Sequence, residues 1–249
     1  MAHTGGPLCD NQRRQELAGA FQQGGDHYEK VRPSYPAESL DWLIQGPEPI
    51  SDVLDVGAGT GKYTELLVER GWDVVAVDPS ADMLEQLHGK LSSVKTHLGT
   101  AERVALPDES VDLAVAAQAW HWCDPVAASA EMARILRPNG TLGLIWNQLD
   151  VQIPWVHRLA RIMRAGDVHK ADFKPQVGAQ FSTPEACETQ WDQELTPEDL
   201  IELSKSRSYY LRANATARAN VRSTLNWYLF EHLGYLPGQR ITLPYITQS

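Results

Sequence analysis

Three glycines in five residues, Gly57, Gly59 and Gly61, follow the apolar run at 53–56 and lead straight into a helical pattern. Glycine has no Cβ, so the chain can turn sharply and a ligand can rest on bare backbone, with the N–H groups of the following helix as donors. That is the chemistry of a cofactor loop. Asp55 precedes it, and Asp78 closes the next apolar run. A second cluster, "AWHWCD" at 119–124, sets His121 between Trp120 and Trp122. Imidazole titrates near neutrality and makes His121 the general-base candidate, either deprotonating or orienting an acceptor; the indoles offer apolar, quadrupolar faces.

Spacing narrows the cofactor. A phosphate-binding GxxxxGK[ST] loop fails, because Val56 stands five before Gly61 and Tyr63 follows Lys62. A dinucleotide GxGxxG fails as well, because the sixth position is Lys62.

The elements that must position these residues alternate. Strands are expected at 52–56, 73–77, 94–98, 111–117 and 141–146, with helical stretches between most of them. Pro36 opens a helix whose inner face carries Leu40, Leu43 and Ile44, Gly71 ends another, and Asp124 with Pro125 caps a third. This β–α rhythm predicts a parallel sheet covered on both faces, which places the glycine loop at the carboxyl end of a strand, where open α/β sheets bind ligands. Beyond residue 150 the pattern changes. An amphipathic helix at 153–165 presents Trp155, Leu159, Ile162 and Met163, a strand is expected at 187–195, helices at 197–204 and 213–233, and a closing strand at 240–247. We expect a flexible segment at 1–25 and one domain at 26–249: an N-terminal lid and helix at 26–50, a core at 51–150, and a helical cap with closing strands at 151–249.

Composition sets the partners. A net charge of −10 argues against broad contact with nucleic acid. Cys9, Cys123 and Cys187 are far apart and lack metal-ligand spacing, which predicts reduced thiols and no metal site. The opening "MAHTGGPLCD" has no apolar core of a leader, and no stretch approaches a membrane span, so a cytoplasmic protein is expected.

"LDVGAGTGKYT" followed by Asp78, "GTAERVALPDESVDLAVAAQAWHW" and "EMARILRPNGTLGLIW" together resemble the class I S-adenosylmethionine (SAM)-dependent methyltransferases over residues 51–147. "RPSYP", "QAWHW" and "PYIT" resemble their small-molecule branch, the type 11 and trans-aconitate methyltransferase-like proteins. The resemblance implies a Rossmann-like, mostly parallel seven-stranded sheet with helices on both faces plus a helical cap. It implies SAM as cofactor, with S-adenosylhomocysteine as product. Asp55, Gly57, Ala58, Gly59 and Gly61 would underlie its amino acid and sugar parts, and Asp78 would accept the ribose hydroxyls. Pro79, Met83, Thr100, Ala101 and Glu102 would flank the adenine, with Gln118 and Ala119 alongside the cofactor.

Tyr28 and Arg32, in a segment folding over the site, would meet the cofactor carboxylate. Tyr35, Trp120, Trp122 and Trp146 would line the acceptor pocket. The expected reaction is methyl transfer to a small molecule, at oxygen of a hydroxyl or carboxylate, by a monomer or homodimer. Two rivals stay open on sequence: a non-catalytic SAM-binding protein and a nicotinamide-dependent oxidoreductase.

Overall fold

The computed structural model describes residues 32–45, 49–165 and 173–249. Among them, one sheet contains seven strands: β1 (Asp52–Val56), β2 (Asp73–Asp78), β3 (Lys95–Leu98), β4 (Val111–Ala117), β5 (Leu136–Leu149), β6 (Glu188–Leu195) and β7 (Ile241–Gln248). Their order is β3-β2-β1-β4-β5-β7-β6. β1 to β5 pair in parallel, and β7 runs antiparallel to both β5 and β6. The chain winds outward from β1 to β3 and then returns to β4 on the other side of β1. The crevice outside the carboxyl ends of β1 and β4 is therefore a topological switch point.

Alternation along each strand builds two cores. Leu54, Val56, Val77, Ala114, Ala116, Leu144 and Trp146 point to one face, where Met132 and Ile135 of α4 (Pro125–Ile135) cover them. Val53, Val74, Ala76, Leu113, Val115 and Ile145 point to the other, beneath Leu40 of α1 (Ala37–Leu43), Leu67 of α2 (Thr64–Glu69) and Leu87 of α3 (Ala81–Lys90). Each fully buried leucine contributes about 2 kcal/mol. Capping fixes where helices begin: the Asp124 carboxylate accepts from the N–H groups of Val126 and Ala127, and Pro125 fills the first helical position.

A third core joins the sheet edge to α5 (Pro154–Met163), α6 (Pro197–Lys205) and α8 (Ala215–Asn226), through Leu149, Leu159, Leu200, Leu225 and Leu243. The short α7 (Ser208–Arg212) links α6 to α8. The buried stripe of α5 is Val156, Leu159, Ala160 and Met163. The expected Trp155 and Ile162 flank it half-buried, because the i, i+3, i+4, i+7 stripe starts one residue later.

The largest departures from the expected boundaries are in β5 and in the last helix. β5 begins at Leu136 rather than Thr141, with a register shift against β4 and Asn139 at φ +66° accommodating the turn residues inside the strand. The helix expected to reach Leu233 ends at Asn226 and widens into a π turn over Trp227–His232, where Leu233 N–H donates to Tyr228 O. The Arg158 guanidinium lies over both Trp227 and Tyr228, 5.3 and 5.2 Å from the ring centroids. No helix of the described residues is long and apolar enough to cross a membrane.

Candidate cofactor and acceptor site

The glycine loop leaves β1 and leans onto the end of β2: Gly57 and Ala58 donate to Val77 O at 2.7 and 3.1 Å. All three glycines adopt positive φ, +68°, +55° and +88° in order, but they serve different ends. A Cβ on Gly57 would lie under 3.0 Å from Ala119 Cβ, and one on Gly61 would lie 2.9 Å from Leu87 Cγ. Those two positions exclude a side chain because the protein itself occupies the space. Among the described residues a Cβ on Gly59 would meet nothing within 4 Å, so of the three Gly59 is the one that borders open space.

Two carboxylates lie beneath. Asp78 Oδ2 accepts from Gly59 N–H at 2.9 Å and Oδ1 from Ser80 N–H at 2.8 Å, tying the loop to β2. Burial raises its pKa, and those two backbone bonds oppose the rise. Asp55 is fully buried; its Oδ2 accepts from Thr64 Oγ1 at 2.7 Å, while Oδ1 has no hydrogen-bond partner among the described residues. Burial pushes Asp55 up to about 7, with the Thr64 bond opposing and the nearby Asp78 charge adding. An acceptor left bare beneath the loop, a carboxylate beside it with lone pairs to spare, and an open face at Gly59 fit a cofactor bearing hydroxyls and a cationic amino acid group.

The carboxyl end of β4 forms the adjoining wall. Gln118 is held at φ +54°, a left-handed conformation that costs a non-glycine residue of order 1–2 kcal/mol. Its Nε2 donates to Asn147 O at 2.6 Å, and its buried Oε1 has no partner among the described residues. Asn147 in turn donates through Nδ2 to Ser34 O at 2.7 Å and accepts from Thr247 Oγ1, which also accepts from Trp191 Nε1 at 2.8 Å. Arg32 Nη2 donates to Ser206 O at 2.8 Å, and the Tyr35 ring stands edge-on to Tyr63, 5.0 Å between centroids. Residues 32–36 thus run as a strap from the cap, past β5, to the glycine loop.

Trp120–Trp122 form a 3-10 turn beyond β4. Trp120 is 4% exposed within the core, and its Nε1 donates to Gln176 O at 2.9 Å. A buried indole needs an acceptor for its N–H, and the one it finds holds it inward. His121 is exposed and Trp122 half-buried, their rings 4.5 Å apart. Trp146 is buried, edge-on to Phe173 at 5.5 Å, and donates from Nε1 to His121 Nδ1 at 3.3 Å.

Near the end of β2, Gly99 N–H reaches Asp78 O at 3.1 Å and brings the loop after β3 alongside. There Thr100 is exposed, Ala101 is core, and Glu102 Oε1 accepts from Asp124 N–H at 2.8 Å. Pro79 is exposed, and Met83 is buried at the start of α3 with its N–H on Ser80 Oγ. Tyr28 lies outside the described residues. Asn147, Thr64 and Ser80, which hydrogen-bond to Gln118, Asp55 and Asp78, were not singled out by sequence reading. Their signal was a polar side chain beside an apolar strand or a glycine turn.

A family model for a methyltransferase domain matches residues 54–144. An uncharacterized methyltransferase of Mycobacterium tuberculosis is 43% identical over 235 residues, covering 94% of this chain and 95% of that protein. A malonyl-[acyl-carrier protein] O-methyltransferase of Serratia marcescens is 30% identical over 156 residues, 57% of this chain and 61% of that protein. The solved structure of a candidate type II methyltransferase from Anaeromyxobacter dehalogenans shares the fold with a TM-score of 0.66 at 24% identity, over 87% of this chain and 95% of that one. The matched span runs from β1 to the middle of β5 and contains the loop, Asp78, Gln118 and His121, so the oxidoreductase reading falls: the chain belongs to the class I SAM-dependent methyltransferases.

Proposed function

We propose that the protein methylates an oxygen atom of a small cytoplasmic molecule, with SAM held at the carboxyl ends of β1, β2 and β4. The observation that carries the reading is the open face at Gly59 bordered by the Asp78 carboxylate. SAM supplies a methyl group on a sulfonium, which an oxygen lone pair displaces in line.

In this reading Asp78 takes the ribose hydroxyls on lone pairs its two backbone bonds leave available. Gly57, Ala58, Gly59 and Gly61 provide the backbone surface, and Asp55 and Gln118 offer their unpartnered oxygens to the amino acid end, beside Ala119. Pro79, Met83, Thr100, Ala101 and Glu102 flank the base. A guanidinium carries five N–H groups, so the Arg32 bond to Ser206 is compatible with a contact to the cofactor carboxylate. Tyr35, Trp120, Trp122 and Trp146 border the acceptor and exclude water, and His121 contacts its reacting oxygen. Alignment of the two reactants supplies most of the acceleration, up to about 7–11 kcal/mol in favourable cases.

Support for oxygen as acceptor comes from the Serratia relative, an O-methyltransferase by name, and the net charge of −10 disfavours nucleic acid as the substrate. The test is transfer from methyl-labelled SAM to a panel of small acids, alcohols and amines. Label on an acid or alcohol supports the reading. Label confined to amines, or SAM bound with no transfer to any class, contradicts it.

A further inference from the structure

In a sequence with 32 acidic residues against 22 Lys and Arg, the stretches 151–165 and 208–230 each carry three arginines and no Asp, Glu or Lys. All six arginines are exposed: Arg158, Arg161 and, at its C-cap, Arg164 of α5, Arg212 of α7, and Arg218 and Arg222 of α8. Ring contacts tie the three helices into one face. Arg164 lies over Tyr209 at 4.6 Å, Arg218 over Tyr210 at 5.6 Å, and Arg158 over Trp227 and Tyr228 of the π turn that follows α8. α5 packs against α8, and Arg218 and Arg222 stand one turn apart on the latter. The next carboxylate in the chain, Glu231, lines an open recess with Ser223, Thr224, Asn226 and Trp227 at the border of this face.

Other surface cations of the protein are matched with carboxylates: Arg134 with Asp108 and Arg137 with Asp112, each at 2.6 Å, Arg240 with Glu194 at 2.7 Å, and Lys90 with Glu65 at 3.1 Å. On the cap, guanidiniums lie on aromatic rings, and Arg212 and Arg218 donate to the carbonyls of Ser208, Tyr210 and Leu211. A guanidinium held in this way keeps its full charge and loses less freedom when its planar fork takes a carboxylate. Trp227, 40% exposed beneath Arg158, adds an indole to the face. Arg and Trp are the residue types that dominate protein–protein contacts, whereas Lys, absent from both stretches, is depleted there.

We propose that this arginine face of the cap docks an acidic protein, one that presents clustered Asp and Glu side chains. Charge complementarity selects the partner. A phosphate polymer runs on past the face and meets a surface whose remaining charge is strongly negative. A lipid surface takes up a helix by its apolar stripe, and the stripes of α5 and α8, with Val156, Leu159, Met163, Val221 and Leu225, are buried in the core. A folded acidic partner covers the face alone. The face borders the strap, because Ser206, whose carbonyl holds Arg32, stands two residues before α7. The inference is independent of which acceptor is methylated.

The test is calorimetric titration of the full chain with poly-L-glutamate at low salt and at about 150 mM salt, alongside a DNA oligonucleotide, phosphatidylglycerol vesicles and sedimentation of the protein alone. The variant is Arg161→Gln with Arg222→Gln, two arginines outside the ring contacts above, and the charge-matched control is Lys90→Gln with Lys95→Gln at the opposite edge of the sheet. The expected result is binding of poly-L-glutamate that weakens with salt, falls at least about fivefold in the arginine variant and stays within about twofold in the control. If the double variant does not fold, each single substitution should show part of the loss. Equal losses in variant and control, or no binding at low salt, overturn the proposal. Tighter binding of the oligonucleotide or the vesicles, or self-association that the arginine variant abolishes, overturns it as well, by giving the face to nucleic acid, lipid or a second copy of the chain.

Discussion

Adding one methyl group at Gly57 and at Gly59 separates packing from ligand binding within a single loop. Both positions sit at positive φ, so alanine at either costs about 1–2 kcal/mol of backbone strain. At Gly57 the new Cβ also collides with Ala119 Cβ, and overpacking of this kind adds about 1–3 kcal/mol. Gly57→Ala should therefore lose about 2–5 kcal/mol, and Gly59→Ala about 1–2. For a chain of this size each kcal/mol lowers the melting temperature by about 2–4 °C, so the first variant should melt several degrees below the second. Affinity for S-adenosylhomocysteine should behave differently: Gly59→Ala, the milder change to the fold, fills the surface on which the cofactor is to rest and should weaken binding at least tenfold. Urea unfolding and calorimetry on the same preparations measure both. Equal destabilisation by the two alanines, or wild-type affinity in Gly59→Ala, would refute the division of labour.

Three further outcomes are expected. Asp55 is raised from 3.8 to about 7, so the folded state holds a proton that the unfolded state has released; stability is fully present below about pH 4 and falls as pH rises towards 7, by up to about 1.4 kcal/mol per unit. Asp55→Asn should flatten the unfolding free energy between pH 5 and 7, removing a fall of about 2 kcal/mol, and parallel profiles for the two proteins would contradict this. Asn147→Ala strips partners from Ser34 O and Thr247 Oγ1 and should cost about 2–4 kcal/mol, reduce affinity for S-adenosylhomocysteine as the strap loosens, and show both effects in thermal shift and calorimetry. Trp120→Phe leaves Gln176 O without its donor and should lower stability by about 1–3 kcal/mol in urea while the same affinity stays within about threefold, as suits a core residue.

The central half of the fold was legible because local pattern and tertiary role coincide there. β1 and β4 are apolar runs buried on both faces, and their bounds match expectation residue for residue. The cap of α4 was readable because Asp124 and Pro125 act on their own helix. Legibility failed where the deciding partner is distant in sequence. Nothing near Trp120 announces Gln176, fifty-six residues on, so the bond that holds this indole was not legible.

The same holds for the glycines. Their spacing marks a loop, but only Ala119 and Leu87, brought in by other elements, reveal that two of the three are required by packing. Asn147 ends an apolar stretch in sequence and gives no hint that it joins the strap, β4 and β7.

The most direct test of the account is titration of the purified protein with SAM and S-adenosylhomocysteine, wild type against Asp78→Asn. Asparagine keeps an acceptor for one backbone N–H and removes the second, so the loop stays near its place while ribose recognition is lost. Binding by the wild type that falls at least tenfold in the variant, about 1.4 kcal/mol, is the predicted result. Equal affinity in the two proteins would place the cofactor away from Asp78 and contradict the site described above.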